Sequence, residues 1–156
     1  QVAAQVGDFT PAFTLQAHGV ATLELVTTAP VLEPGKPLHL AWSPPGKSGI
    51  SKVFVKVDIS HHGGTKGLVQ CEAADSGVLD VAATLTDQLA ALGIAGYPTV
   101  LVSRRSVGSA LVTAGRVDLS IVSEVERGID IPGLTSCTDD TDCPKGQTCQ
   151  TDLRCQ

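Results

Sequence analysis

The sequence predicts an all-β protein: a sandwich of about seven or eight short strands with one short helix, followed by a small disulfide-rich C-terminal module. Three observations carry this. Short stretches of alternating apolar and polar residues recur through the first 128 positions, the pattern of half-buried strands separated by turns. Gly and Pro turn signals punctuate them at a spacing of about eight to twelve residues, with no long β-α-β periodicity. Four cysteines, Cys137, Cys143, Cys149 and Cys155, then recur at every sixth position. A closed barrel is the alternative architecture for the same strands.

At 156 residues the chain is long enough for one domain with a core and one small appendage. Hydrophobic residues make up 42% and charged residues 17%, so burial can offset chain entropy and the domain folds. A net charge of -5, with one Trp, one Tyr and three Phe, supplies neither a basic stripe nor stacking rings, which argues against nucleic acid as a partner. No window approaches the roughly 20 apolar residues of a transmembrane helix. The first residue, Gln1, follows no basic, apolar leader, which reads as a mature chain whose targeting segment has been removed.

Residues 1–19 form a lead-in with an edge strand expected over Ala12 to Gln16. The sandwich is expected over 20–128. Its strands begin with Thr22 to Thr27, ended by Pro30, and Leu38 to Ser43, ended by Pro44-Pro45-Gly46. The clearest alternation, Lys52 to Ile59, puts Val53, Val55, Val57 and Ile59 on one face and Lys52, Lys56 and Asp58 on the other. Leu68 to Glu72 and Val78 to Val81 follow. Thr84-Leu85-Thr86-Asp87 has the spacing of a helix start, with Leu85, Leu89 and Leu92 on one face and Gly93 as the stop. Three more strands are read at Thr99 to Arg105, Ala110 to Thr113 and Val117 to Val125, divided by turns at Val107-Gly108-Ser109 and Ala114-Gly115. Residues 129–136, with Pro132-Gly133, read as a linker into the module at 137–156.

The stretch Leu38-His39-Leu40-Ala41-Trp42-Ser43-Pro44-Pro45, followed by the alternating strand from Lys52, resembles strands B and C of the fibronectin type III-like and immunoglobulin-like sandwiches. There a Trp near the end of strand B packs under the sheet. The resemblance implies a spacer or binding module that functions through its loops. The chain departs from the family in its tyrosine, since Tyr97 precedes Pro98 at a strand entry.

The tail has almost no apolar side chains and cannot fold by burial. Two disulfides, each contributing about 3 kcal/mol by restricting the unfolded chain, supply the constraint. Of three pairings, Cys137 with Cys149 and Cys143 with Cys155 is favoured as the most compact; the others stay open. Zinc sites use closely paired ligands, a spacing this tail lacks. The run Cys137-Thr-Asp-Asp-Thr-Asp-Cys143-Pro-Lys-Gly-Gln-Thr-Cys149 resembles short Cys-rich modules of myxobacterial secreted and surface proteins. It is loosely similar to segments of Dickkopf-type and whey-acidic proteins, but lacks the adjacent cysteine pair of the latter. An extracellular or cell-surface location is expected.

Cys71, on a strand with Val69, is expected as a free buried thiol, with intermolecular pairing or nucleophilic chemistry as alternatives. His61-His62 reads as an exposed turn rather than a chelate. Asp139, Asp140, Asp142 and Asp152 are weak calcium candidates, weighed against ordinary solvated carboxylates. Arg104-Arg105 offers one outward cation for a carboxylate or phosphate, because neighbouring strand residues face opposite ways. No hydrolase elbow, phosphate loop or zinc-protease motif is present, so no catalytic residue and no cofactor are expected. The functional expectation is a non-catalytic secreted or surface module that binds a protein or itself through edge strands or the N-terminal segment. The alternative is a glycan- or small-ligand-binding domain assisted by calcium.

Overall fold

Alternation around Val53, Val55 and Val57 places β4 (Lys52–Asp58) inside a four-stranded antiparallel sheet, with all three valines fully buried. A computed structural model describes all 156 residues. In it β4 lies between β5 (Leu68–Ala74) and β7 (Thr99–Val112), and β7 pairs on its far side with β8 (Gly115–Gly128). A second layer is the antiparallel pair β3 (Leu38–Ala41) and β6 (Val78–Val81). A third pair, β1 (Val2–Ala4) with β2 (Phe13–Leu15), rests on β7. One helix, α1 (Ala83–Ala91), links β6 to β7. The fold is therefore all-β, antiparallel, with a disulfide-rich C-terminus.

The core is one cluster drawn from both layers. Leu38, Leu40, Trp42 and Val81 from the β3–β6 side pack with Val53, Val55, Val57, Ile59, Val100 and Val102 from the larger sheet. Each such side chain contributes about 1.5–3 kcal/mol by leaving water.

The structure departs from the sequence reading at five places. Thr22 to Thr27 forms no strand; its only ladder contact is the bridge Leu25–Trp42. Its backbone groups are divided between side chains and main chain: Leu23 N donates to Ser123 Oγ and Glu24 N to Ser43 Oγ, while Val26 N and Thr27 N both donate to the Ala41 carbonyl. The turn expected at Val107-Gly108-Ser109 does not exist, because β7 runs through it in unbroken register with β8. Gly108 is there for space: a Cβ on it would overlap the Gln16 carbonyl where the N-terminal segment crosses β7.

The helix begins after Ala82 with no side-chain cap, and Asp87 accepts instead from Gly35 N at 2.9 Å. Its inward side is Thr86 and Leu89, while Leu85 and Leu92 stay exposed. The linker reading also changes. Ile129 and Ile131 are buried in the core, and Asp130 bridges Val31, so 129–131 is integral to the main domain. Lastly, Cys71 is half-buried rather than buried, because β5 is an edge strand with its outer side open.

Candidate functional site

Alternation along β7 turns Arg104 inward and Arg105 outward, and the two arginines meet opposite surroundings. Arg104 is completely buried. Its Nε donates to Asp75 Oδ2 at 2.6 Å and its Nη2 to Asp75 Oδ1 at 3.1 Å. Nη1 donates to the carbonyls of Ala21 and Thr22, and Nη2 also to that of Ser43. Asp75 accepts in addition from Trp42 Nε1 at 2.9 Å and Ser51 Oγ at 2.6 Å. Burial pushes the Asp75 carboxyl up, but the hydrogen bonds from Arg104, Ser51 and Trp42 and the guanidinium charge outweigh it and hold the carboxyl below its usual range.

Arg105 lies on the outer face, directly opposite Lys52 in the β4–β7 register. Two cations side by side repel. Lys52 leans away to Glu72, 2.5 Å from its Nζ, while the Arg105 guanidinium lies over the Phe54 ring, 4.4 Å from its centroid. Beyond this pair β4 ends and β7 continues, which opens a cleft of about 510 Å³ between the 49–51 loop and the β7–β8 hairpin. Lys52, Glu72, Arg105, Arg116, Asp118 and Ser120 line it. Arg116 donates from Nε to Asp118 at 2.7 Å, and hydrogen bonds from Ser109 and Arg116 hold the Asp118 carboxyl below its usual range. Arg105 has no carboxylate partner.

The C-terminal cysteines are joined Cys137 to Cys149 and Cys143 to Cys155, the interleaved arrangement. Cys137, Cys143 and Cys155 bring their sulfurs within 4.8 Å of one another, but all three are consumed in disulfides. The module is docked, not dangling: Gly96 N donates to the Asp152 carbonyl at 2.7 Å and Ser136 Oγ to the Gly96 carbonyl at 2.5 Å. A Cβ on Gly96 would overlap the backbone of His61 and Gly63.

The four calcium candidates do not converge on a cation. Asp139 and Asp142 form a reciprocal cap on the short 3-10 turn Asp140–Asp142, with Asp142 Oδ2 accepting from Thr138 N at 2.7 Å. Asp140 accepts from Cys149 N at 2.8 Å, and Asp152 pairs with Arg154. These carboxylates satisfy backbone donors in a segment too short to satisfy them by sheet pairing. Backbone and side-chain bonds from Thr138, with one from Asp139 N, hold the Asp142 carboxyl below its usual range. The rings of His61 and His62 lie tilted, 4.1 Å apart, at a turn where His62 takes a positive φ of 62°. Neither joins any group of ligating side chains.

The sequence reading passed over Asp75, Lys52, Glu72, Arg116 and Asp118. The cross-strand register brings Lys52, Glu72, Arg116 and Asp118 together, while Asp75 reaches Arg104 from the turn between β5 and β6. No protein family, curated protein or solved structure matches this chain.

Proposed function

We propose that this chain is a non-catalytic extracellular or cell-surface module that works by protein contact, pairing with a second copy of itself along β8. The observation that supports this reading is the open edge. β8 is 14 residues long, paired to β7 throughout and unpaired on its other side. An unpaired edge of that length is a template for another strand.

A second copy suits it through charge. In an antiparallel, two-fold pairing centred on Ser120, Arg116 of each copy lies opposite Glu124 of the other, while Asp118 meets Val122. Such a contact is self-complementary and closed. The N-terminal segment is the poorer donor, because β1 and β2 already pair with each other and dock on β7. The two tail disulfides agree with an oxidising, extracellular setting.

Sedimentation equilibrium at about 100 μM, a concentration that populates a dimer of micromolar Kd, tests the proposal. The wild type is expected to dimerise, Glu124→Arg to be monomeric, and Arg116→Glu combined with Glu124→Arg to dimerise again. A monomeric wild type, or a Glu124→Arg dimer as stable as the wild type's, overturns it.

A further inference from the structure

We propose that the cleft beside Arg105, one wall of which is the outer face of β8, binds a carboxylate-bearing small ligand, an acidic sugar. The geometry begins with a guanidinium held ready. The Arg105 guanidinium rests over the Phe54 ring at 4.4 Å, so little freedom is lost when its fork receives a partner. Its donors are nearly all unspent within the chain. Nη1 makes no hydrogen bond, Nη2 reaches Ser103 Oγ only at 3.4 Å, and Nε is buried with no partner.

The surroundings select the ligand. Lys52 and Arg116 are neutralised by Glu72 and Asp118, which leaves Arg105 as the uncompensated charge of the cleft. One free cation matches one carboxylate; a phosphate dianion would face the flanking carboxylates of Glu72 and Asp118 with its second charge unanswered. The Arg fork meets a carboxylate with two parallel hydrogen bonds. Around it the wall is hydroxylic rather than greasy. Ser120 Oγ makes no hydrogen bond within the chain, so its hydroxyl can donate to a sugar oxygen. The volume, about 510 Å³, accommodates one or two sugar rings.

NMR titration of the full chain with sodium glucuronate tests this, with glucose, acetate and inorganic phosphate as comparison probes. Glucuronate is expected to shift the Arg105 Nε–H and the amides of Ser106, Val107 and Ser120 saturably, while glucose leaves them unmoved. Arg105→Lys, which keeps the charge and loses the fork, and Arg105→Gln are each expected to weaken binding at least tenfold (about 1.4 kcal/mol). Unchanged thermal unfolding of these variants shows that the fold is intact; if Arg105→Gln unfolds, Arg105→Lys alone decides. Glucose binding as tightly as glucuronate, undiminished binding by Arg105→Lys, or no saturable shift overturns the proposal. Phosphate binding more tightly overturns the carboxylate assignment, and acetate matching glucuronate overturns the sugar assignment.

Discussion

Arg104 and Asp75 form a two-pronged ion pair inside the protein, with Nε to Oδ2 at 2.6 Å and Nη2 to Oδ1 at 3.1 Å, and with side chains 0% and 2% exposed. The remaining guanidinium hydrogens go to the carbonyls of Ala21, Thr22 and Ser43. One side chain thereby ties the irregular 20–27 segment, the end of β3 and the β5–β6 turn to the central sheet. A buried charge left alone is expensive, so these segments and the arginine depend on one another.

Removing one partner strands the other. Arg104→Met and Asp75→Asn are each expected to destabilise the fold by about 3–5 kcal/mol in urea unfolding. Arg104→Met combined with Asp75→Leu is expected to lose less than the two single changes together, because no charge is then stranded.

Acid acts through the same pair. The Asp75 carboxyl titrates lower in the folded state than the ordinary 3.8, so its stabilisation is complete above that value and disappears as pH falls through the folded pKa. Unfolding free energy measured between pH 6 and pH 2 is expected to fall with acid, with a smaller fall in Asp75→Asn. A slope remains in that variant from Asp118, Asp142 and Asp152, which are lowered too.

Loss of one disulfide is expected to loosen the module while leaving the main domain folded. Replacing Cys143 and Cys155 by Ser is expected to cost about 2–4 kcal/mol of the module's local stability. Hydrogen exchange is expected to rise across 137–156 and in the 95–97 loop that Asp152 and Ser136 hold, while the amides of β4 stay protected.

Gly108→Val is expected to expel the N-terminal pair from β7, since its side chain takes the place of the Gln16 carbonyl. Limited proteolysis within 1–19 then accelerates by at least tenfold, with little change in the core amides. Equal cleavage rates in the two proteins count against this account of the glycine.

Cys71 is the one free thiol, half-buried on β5 and packed against the core. A small alkylating reagent is expected to modify it slowly in the native protein and rapidly in denaturant. Fast native labelling contradicts the packing.

Much of the β4 layer was legible because a period of two, as in Val53, Val55, Val57 and Ile59, can satisfy only a strand with one buried face. The Arg104-Arg105 pair was half legible. Alternation says that one of them faces inward, but it does not say which, and the deciding partner, Asp75, lies 29 positions away. Gly108 misled for a related reason. Glycine marks a turn and a close approach of backbones equally well, and Gln16, which distinguishes the two, belongs to a remote segment. The tail carboxylates show the same ambiguity, since an oxygen-rich loop suits both a cation and a set of orphan N–H groups.

By itself the sequence determined the β class, the central alternating strand and the stapled tail, because local periodicity and evenly spaced cysteines are properties of neighbouring residues. Tertiary structure alone decided that Arg104 goes inside to Asp75 while Arg105 stays on the rim of a cleft, that β7 and β8 run 14 residues each, and that Ile129 and Ile131 belong to the core. Those outcomes depend on the energy of desolvating a charge or a side chain against partners far away in the chain, a quantity that exists only once the partners have been brought together.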